Sequence, residues 1–432
     1  MPIQFGTDGL RGKADEELTE AIARALGVAA ASVLGGETFY LGRDTRASSP
    51  RLSTAFAQGI VSAGVHCIDI GIAPTPCVAA VCAQYQAPGA VISASHNPWF
   101  DNGIKILGPG GVKLPAEVEA AIETQLKLCL DADVAIGGDA HVDERLTEIW
   151  SAHLDGVIEG DLSELTIAID TAHGAASALA PDIFTGLGAT VFVMGNQPDG
   201  RNINDGVGST HPEALAQLVV ESGASLGLAF DGDADRLIAI DEMGCVVDGD
   251  ILITLFAEDL ENRGLLAHHR VVVTVMSNLG MLRHLEHHGI ETSVVPVGDR
   301  NVVAELTRGG YSLGGEQSGH IVFSDLATTG DGVLTGVLLA DLVRRSGRTL
   351  SELVAQCFDP YPQVLLAVPG SKVRLEDAHV IEAIVAAEAD LGDEGRIVVR
   401  ASGTEAVIRI LVEAHDAARA NSVAQALAGV IG

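Results

Sequence analysis

The sequence predicts an α/β protein of three α/β domains with mixed, mostly parallel sheets and a smaller C-terminal α+β domain. Strand-like apolar runs alternate with helical patterns in three successive rounds, an alternation typical of βαβ units. The pattern changes after Asp359-Pro360-Tyr361-Pro362, whose prolines favour a linker. At 432 residues the chain is too long for one compact core, and this length favours about three domains.

Each round contributes its own strands and helices. In the first, we predict strands at 38–42, 67–70 and 90–92 and helices at 16–34, 51–63 and 115–130. In the second, we predict strands at 165–170, 189–194, 227–230 and 236–241 and a helix near 175–187. The third begins with a strand at 271–275.

The C-terminal segment has a different pattern. It predicts a short strand, a helix at 377–391, strands at 396–400 and 406–412, and a final helix at 416–431. We therefore expect domains at 1–150, 151–245, 246–360 and 361–432.

The composition restricts the partners and the compartment. Lys and Arg number 26 against 58 Asp and Glu, so the net charge of −32 disfavours nucleic acid and anionic membrane surfaces as partners. The six cysteines show no CxxC spacing, which favours a reducing cytoplasm. We recognise no signal peptide and no apolar run of about 18 residues that would span a membrane.

The segment Ala94-Ser95-His96-Asn97-Pro98 is the first candidate for chemistry. It places a serine hydroxyl between an apolar strand-like run and a turn-rich loop, where catalytic groups of α/β proteins commonly lie. A histidine follows Ser95 directly, and Lys105 lies ten residues further on. A hydroxyl with a proton-handling neighbour and a nearby cation is suited to act as a covalent nucleophile. Alternatively, Ser95 caps a turn or a helix, and this segment alone favours neither role.

A second candidate is the acidic run that follows the apolar segment 227–230. Asp231, Asp233 and Asp235 alternate along the chain, so their carboxylates point the same way if the backbone is extended. Three like charges this close are costly without a cation, and oxygen ligands suit Mg²⁺ or Ca²⁺. Arg236 stands where an EF-hand needs glycine, and strands flank the run, so an EF-hand is disfavoured. The alternative is a solvated acidic turn.

Further segments are ambiguous when each is taken singly. The Gly-bracketed loop 314–320 offers donors and acceptors suited to sugar hydroxyls, although taken alone a plain turn explains it better. Arg400-Ala401-Ser402-Gly403-Thr404-Glu405, with Arg409, is suited to cradle a phosphate, or is a hairpin turn with solvated arginines. The segment 297–300 is ambiguous in the same way as the loop 314–320. The arginines in 5–12 and 42–46 have ordinary ion-pair roles as the simpler interpretation.

Taken together, these segments resemble the α-D-phosphohexomutase superfamily. The likeness extends from FGTDGLRG near the start, through GRDTR, ASHNP, DNGIK, GEQSGH and TTGDG, to SGTE near the end. Several motifs in a fixed order are far more specific than any one of them. The sequence departs from the family pattern in Ala406, where relatives usually have proline, and in Ala234, Asn301 and His173, and none of these changes removes an expected ligand.

The resemblance implies four domains around a central cleft and a role for each motif. It implies a phosphoserine at Ser95, with Arg11, His96 and Lys105 at the reacting centre. It implies Mg²⁺ held by Asp231, Asp233, Asp235 and the phosphoserine oxygen. It places Glu316 and Ser318 on the sugar with Arg300 and His320 nearby, and it surrounds the non-reacting phosphate with Arg400, Ser402, Gly403, Thr404 and Arg409.

Within the superfamily, the likeness is greatest to bacterial enzymes that interconvert glucosamine 6-phosphate and glucosamine 1-phosphate. The expected reaction passes through a sugar 1,6-bisphosphate intermediate and feeds UDP-N-acetylglucosamine and cell-wall precursor synthesis. A small hexosamine phosphate is the expected partner, and a homodimer is one expected assembly. The alternatives are the same chemistry on mannose or glucose phosphates, a Mg²⁺-dependent phosphatase, and a non-catalytic sugar-phosphate-binding protein on the same scaffold.

Overall fold

The computed structural model describes residues 9–132, 135–401 and 407–432, and four sheets with their helices lie in these ranges. The first sheet has seven strands in the order β1-β5-β4-β2-β3-β7, with β6 paired to β5. Its strands are β1 (Leu10–Lys13), β2 (Thr38–Arg43), β3 (His66–Ile72), β4 (Gly89–Ile92), β5 (Asp101–Gly108), β6 (Val112–Lys113) and β7 (His141–Val142). The pairs β2/β3, β2/β4 and β3/β7 are parallel, and the remaining pairs of this sheet are antiparallel.

Five helices accompany the first sheet: α1 (Glu20–Leu34), α2 (Ser49–Ser62), α3 (Thr75–Tyr85), α4 (Ala116–Asp131) and α5 (Glu148–Asp155). The first two cross closely because each has a glycine at the contact. A Cβ on Gly27 would lie 2.2 Å from the Phe56 carbonyl oxygen, and one on Gly59 would lie 2.1 Å from that of Arg24. Neither glycine can therefore be replaced without separating the two helices.

The second and third sheets have mixed strand directions. The second has the order β12-β11-β10-β8-β9 and contains β8 (Thr166–Asp170), β9 (Thr190–Met194), β10 (Leu226–Phe230), β11 (Leu237–Asp241) and β12 (Val246–Val247), with helices α6 (Leu179–Gly186) and α7 (Glu213–Ser222). The third sheet has the order β14-β13-β15-β16, with strands β13 (Arg270–Thr274), β14 (Glu291–Val295), β15 (Leu313–Gly315) and β16 (Ile321–Phe323). The helices of this region are α8 (Gly249–Asn262), α9 (Leu279–His287), α10 (Asp299–Gly309), α11 (Gly332–Ser346) and α12 (Leu350–Val354).

The C-terminal sheet is antiparallel and smaller. It has the order β17-β19-β18 and contains β17 (Gln363–Pro369), α13 (Ala378–Leu391), β18 (Gly395–Ala401), β19 (Val407–Ala414) and α14 (Ala417–Ile431). Its buried apolar side chains form a separate cluster, whereas one continuous apolar cluster joins the first three sheets. The predicted α/β class is confirmed.

Several boundaries differ from the sequence-based expectation. The first helix begins at Glu20 and not at residue 16, because the Thr19 hydroxyl caps it and the Glu17 carboxylate accepts a bond from the Lys13 backbone N–H instead. Helix α6 begins at Leu179 and not near 175. Helix α3 was not predicted, because most of its side chains are buried and it therefore lacks an amphipathic pattern. The strand predicted to start at residue 406 begins at Val407 within the described residues.

Strand β5 was also missed, since Asp101-Asn102-Gly103 reads as a turn. In the structure these residues pair with β1, and the Asn102 amide donates bonds of 2.8 and 2.9 Å to the hydroxyls of Ser48 and Ser49. The buried amide is thus satisfied by hydroxyls at the start of α2, which removes the usual cost of placing asparagine in the sheet. Among the described residues, no helix combines the length and apolarity that a membrane crossing requires.

Candidate active site

Ser95 lies just beyond the end of β4, in a buried loop. Its φ of +53° is in the left-handed region, which a serine rarely adopts without support from its surroundings. The Oγ atom donates a bond of 2.5 Å to Asp231 Oδ2 and lies 3.3 Å from Nδ1 of His96. The side chain is 1% exposed. This hydroxyl faces a carboxylate from the second sheet, so it is not a cap of a surface turn.

Two residues that we did not predict hold the loop through the same two backbone carbonyls. The Arg46 guanidinium donates to the carbonyl oxygens of Ser95, at 3.0 Å, and Asn97, at 2.6 Å. The Asn204 amide donates to the same two carbonyls, at 2.9 and 3.0 Å. Because Arg46 follows β2 and Asn204 belongs to the segment between β9 and α7, the serine loop is fixed by both regions at once.

Arg46 is itself held in place by a buried ion pair. It contacts the Asp44 carboxylate, which also accepts a bond of 2.6 Å from the Ser49 hydroxyl, and both charged side chains are 1% exposed. A buried pair of this kind loses its stability when one partner is removed, because the other charge is left uncompensated. In the sequence, this ion pair belongs to the charged segment 42–46 at the end of β2. Strand β2 is the parallel neighbour of β4.

The three aspartates lie in a turn between β10 and β11, so our premise of an extended backbone was wrong. Ala234 has a φ of +52°, and the turn brings one oxygen of each of Asp231, Asp233 and Asp235 within 4.8 Å of the others. All three side chains are buried. A Cβ on Gly232 would lie 2.5 Å from the Ser95 carbonyl oxygen, so glycine is needed where the two loops meet. The carboxylates converge through this turn and not through strand periodicity.

Lys105 extends from β5 to the aspartates. Its Nζ donates to Asp233 Oδ2 at 2.6 Å and to Asp235 Oδ2 at 2.9 Å. The Thr75 hydroxyl at the start of α3, which we did not predict, also donates to Asp233 Oδ2, at 2.5 Å. The second oxygens of Asp233 and Asp235 are buried with no hydrogen-bond partner in the described part of the chain. Both oxygens can accept a bond from a cation, and the nitrogens nearest to Asp235 Oδ1, His320 Nδ1 and Arg236 Nε, are each 3.8 Å away.

The charges around the serine shift the acidity of its neighbours. Burial raises the pKa of Asp231, and the charges of Asp235 and Asp233 raise it further. Burial would also raise the pKa of Asp235, but Lys105 and the other positive neighbours hold it well below its ordinary value. Three carboxylates at this spacing cannot all be ionised cheaply without a cation. This cost and the oxygen-only donor set fit Mg²⁺.

His96 is neutral at physiological pH. Burial lowers the pKa of its imidazole to about 4, and the positive charges of Arg236 and Arg11 contribute. Arg11 lies on β1 opposite Gly103 of β5, and its charge acts on the His96 imidazole. A neutral ring 3.3 Å from the Ser95 hydroxyl adds no charge to the site.

The residues predicted to bind the sugar are in different environments. Glu316 is nearly buried and accepts a bond of 2.9 Å from the Gly298 backbone N–H, whereas Ser318 is exposed. His320 is buried and accepts from the Gly330 N–H at Nε2, so its Nδ1 carries the hydrogen that faces Asp235 Oδ1 at 3.8 Å. His320 therefore lies beside the aspartate cluster, next to Asp235. Arg300 pairs with Glu119 of α4.

Two of the predicted phosphate ligands lie opposite each other on adjacent strands. Arg400 of β18 pairs in register with Arg409 of β19. Burial lowers the pKa of Arg400, and the charge of Arg409 lowers it further. Like charges directly across a sheet repel each other, and a bound anion would relieve that repulsion. The other predicted ligands, Ser402, Gly403 and Thr404, lie outside the described residues.

The sequence matches four family models that together cover most of the chain. They are described as phosphoglucomutase/phosphomannomutase α/β/α domain I (residues 2–128), α/β/α domain II (151–244), α/β/α domain III (248–361) and the C-terminal domain (366–430). The chain therefore belongs to the phosphoglucomutase/phosphomannomutase family, which confirms the resemblance to the phosphohexomutases.

Two relatives of named activity and one solved structure are similar to this chain over its whole length. The chain is 46% identical to the phosphoglucosamine mutase of Clavibacter michiganensis over 440 residues, with 100% of this chain and 99% of the relative covered. It is also 46% identical to the phosphoglucosamine mutase of Thermoanaerobacter pseudethanolicus, with the same coverage. A phosphoglucomutase/phosphomannomutase family protein from Burkholderia thailandensis has the same fold, with a TM-score of 0.83 at 24% identity, and 100% of this chain and 98% of that one are covered.

Proposed function

We propose that the protein interconverts glucosamine 6-phosphate and glucosamine 1-phosphate, with Ser95 as carrier of the phosphoryl group. The observation that carries the proposal is the Ser95 hydroxyl, held 2.5 Å from Asp231 in a buried cluster that also contains Lys105. The choice of an amino sugar is supported by the two relatives that are named phosphoglucosamine mutases. The product would feed UDP-N-acetylglucosamine and cell-wall precursor synthesis.

The reaction would consist of two transfers in opposite directions. In the first, the bond from phosphorus to Ser95 Oγ breaks and a bond to the free sugar hydroxyl oxygen forms, which gives the 1,6-bisphosphate. The hydroxyl proton is lost from the sugar, and Ser95 Oγ regains a proton. The bisphosphate then turns around in the cleft and returns its other phosphoryl group to Ser95. Phosphoryl transfer of this kind depends chiefly on positioning and charge neutralisation.

Side chains near Ser95 would provide both the positioning and the charge neutralisation that the transfer requires. Arg11 and Lys105 would stabilise charge on the transferring oxygens, and neutral His96 would handle a proton of Ser95 or the sugar. Asp231, Asp233 and Asp235, with the phosphoserine oxygen, would hold Mg²⁺, which when bound neutralises phosphate charge. A solved N-acetylphosphoglucosamine mutase from Aspergillus fumigatus, of the same fold at 19% identity, is in complex with GlcNAc-6P and magnesium.

The remaining predicted ligands would bind the substrate away from the reacting oxygen. Glu316, Ser318, Arg300 and His320 are assigned to the sugar and its surroundings. Arg400 and Arg409, with Ser402, Gly403 and Thr404, would grip the phosphate that is not reacting. The division into domains at 1–150, 151–245, 246–360 and 361–432 would put the Ser95, metal, sugar and phosphate groups on separate domains around the cleft.

A coupled assay tests the proposal. Purified protein is supplied with Mg²⁺, a trace of glucosamine 1,6-bisphosphate and glucosamine 6-phosphate, and the glucosamine 1-phosphate formed is measured alongside released inorganic phosphate. We expect isomer without stoichiometric phosphate, and a higher kcat/KM on the amino sugar than on mannose or glucose phosphates. Phosphate release without isomer would identify a phosphatase, a higher kcat/KM on another hexose would replace the substrate, and neither product would indicate a non-catalytic binding protein.

A further inference from the structure

A second group of metal-ligating side chains lies on the third sheet's helices, away from Ser95. It consists of Glu258 on α8, His284 on α9 and His288 immediately after α9. One ligand atom from each lies within 4.8 Å of the other two. His284 Nε2 is 2.6 Å from Glu258 Oε1, and the centroids of the two imidazole rings are 4.2 Å apart. The proposed mutase reaction uses none of these residues.

The hydrogen bonding of His288 leaves its outer nitrogen available. His288 Nδ1 lies 2.8 Å from the carbonyl oxygen of His284. A carbonyl oxygen can only accept, so Nδ1 carries the hydrogen and Nε2 has a free lone pair. Histidines that bind metals usually donate their other ring N–H to an oxygen in this way, which fixes the tautomer. His288 therefore has the tautomer that a metal requires.

The spacing of the three residues also suits a metal. His284 lies in the last turn of α9 and His288 is the residue directly after the helix, and their ring centroids are 4.2 Å apart, so both reach the same side. Glu258 faces them from the neighbouring helix. Zn²⁺ in tetrahedral coordination has ligand bonds of about 2.0–2.2 Å, which puts ligand atoms about 3.3 Å apart. Side-chain rotations that move each ligand atom by about 1.5 Å or less would bring the three atoms from their present positions to this spacing.

Exposure and ligand type indicate which cation would bind. The side chains of His284 and Glu258 are 12% and 25% exposed, whereas His288 faces solvent, so a cation can enter on that side and remain partly enclosed. Imidazole nitrogens favour Zn²⁺ and similar transition metals, and Mg²⁺ and Ca²⁺ prefer oxygen. The net charge of −32 attracts divalent cations to the surface in general.

We propose that Glu258, His284 and His288 form a binding site for a transition-metal dication of the Zn²⁺ class, separate from the aspartate cluster. Three protein ligands leave a fourth position for water. The metal would cross-link α8 to α9. Because the His284 ring lies 6.4 Å from that of Phe358, the cross-link is beside the chain segment that leads to the C-terminal sheet.

The test is a Zn²⁺ titration of the full-length, EDTA-treated protein with Mg²⁺ in excess to occupy the aspartates. We expect one Zn²⁺ per chain by calorimetry and a higher thermal unfolding midpoint on Zn²⁺ addition. His284→Asn and His288→Asn should each weaken Zn²⁺ binding about 100-fold or more and abolish the shift of the midpoint. His287→Asn is the matched control, because this exposed residue contacts the His288 ring edge-on, with ring centroids 5.3 Å apart, but is not one of the three ligands. Its loss should leave Zn²⁺ binding and the shift of the midpoint unchanged.

Glu258→Gln separates metal binding from packing, since the amide can keep a hydrogen bond to His284 but is a poor metal ligand. This variant should melt like the parent protein in EDTA and should not respond to Zn²⁺. The proposal is overturned if wild-type protein binds no Zn²⁺, if His284→Asn binds it as tightly as wild type, or if His287→Asn weakens binding as much as His284→Asn. The mutase assay is not a readout here, so a failure of this test is independent of the proposed reaction.

Discussion

The Ser95 loop and the C-terminal sheet are attached to the rest of the molecule in opposite ways. Ser95 is held by buried hydrogen bonds from the first and second sheets, above an apolar cluster that runs through the first three sheets. The C-terminal sheet has its own apolar cluster and meets the third sheet's region through polar contacts. The contrast indicates a molecule that is rigid where the phosphoryl group would be transferred and separable where the other phosphate would be gripped.

The polar contacts between the C-terminal sheet and the third sheet's region, which we call the polar joint, are few, and their buried groups are hydrogen-bonded. The buried Glu413 carboxylate accepts from the Leu279 backbone N–H at 2.9 Å and from Arg396 Nε at 2.6 Å. The Asn278 side chain makes two bonds to the Tyr361 backbone, of 2.9 and 3.0 Å. Hydrogen bonds of this kind can be exchanged for bonds to water, whereas separating an apolar interface exposes surface at a larger cost. Such a joint suits a domain that opens for a bisphosphate to turn around.

The largest expected effect comes from removing the proposed carrier atom. Ser95→Ala should lower mutase turnover by about 10³-fold or more, because it removes the oxygen that would carry the phosphoryl group. Its circular dichroism and unfolding midpoint should stay close to wild type, since the loop remains held through its backbone. Transfer of radiolabel from the 1,6-bisphosphate to the wild-type protein gives the direct measurement. Turnover by the alanine variant above trace level would contradict the assignment.

Metal removal tests the same rigid region without changing a residue. EDTA should abolish turnover, and added Mg²⁺ should restore it, because the three buried carboxylates would otherwise repel both each other and the phosphate. An activity that persists in EDTA after exhaustive dialysis would refute the role given to the aspartates.

Arg46→Lys tests whether the support of the serine loop matters. Lysine keeps the charge beside Asp44 but cannot direct planar N–H groups at both loop carbonyls. We expect kcat to fall about 10- to 100-fold with KM changed little, because misplacing the reacting oxygen affects the transfer step more than binding. Arg43→Lys is the matched control, since Arg43 is in the same segment but pairs with Asp69. Equal losses in both variants would show that the loop contacts are not the cause.

The Arg46 and Asn204 contacts show what sequence reasoning could not supply. Ser95 and the aspartates were recognisable, because reactive residue types directly after apolar strand-like runs are a local pattern. Arg46 and Asn204 meet only through the carbonyls of a third segment, and no periodicity or local spacing records that meeting. Hydrogen bonds to backbone atoms also leave no mark in the side-chain pattern of the loop they hold.

The strands likewise divide into those that the sequence predicts and those that it does not. Strands β2, β8 and β10 were predictable from their apolar runs, since burial of the sheet requires those residues. Strand β5 was not, because its first residues have turn propensity and Asn102 is satisfied by hydroxyls from a distant helix. The convergence of the three aspartates was expected for the wrong reason, because a turn at Ala234 and not an extended strand brings them together.

Arg400→Ala tests the separable region. Its paired arginines should bind the non-reacting phosphate, so we expect KM to rise about 10- to 100-fold while kcat changes less. Arg419→Ala is the control, because that exposed arginine belongs to the same domain and pairs with Asp390. An unchanged KM in Arg400→Ala would remove the C-terminal sheet from substrate binding, and with it the reason for its loose attachment.

The smallest expected effect concerns the polar joint and pH. Asp250 on α8 accepts a bond of 2.8 Å from the Asn278 backbone N–H, next to the contact with Tyr361. Burial raises the pKa of Asp250 to about 7, and the charge of Asp248 contributes. The folded state therefore holds a proton that the unfolded chain loses at about pH 4, and the free energy of unfolding should fall as pH rises from about 4 to 7.

Asp250→Asn removes this titration and keeps an oxygen for the Asn278 bond. Relative to the variant, the wild-type protein should therefore lose about 1–3 kcal/mol of unfolding free energy between pH 4 and 8, with most of the loss below pH 7. Urea denaturation of both proteins at each pH gives the difference, in which the titrations of carboxylates distant from Asp250 cancel. A difference that is constant across this range would mean that Asp250 is ionised in the folded joint. The joint would then contain a buried unpaired charge, and separation from the third sheet's region would be favoured even at neutral pH.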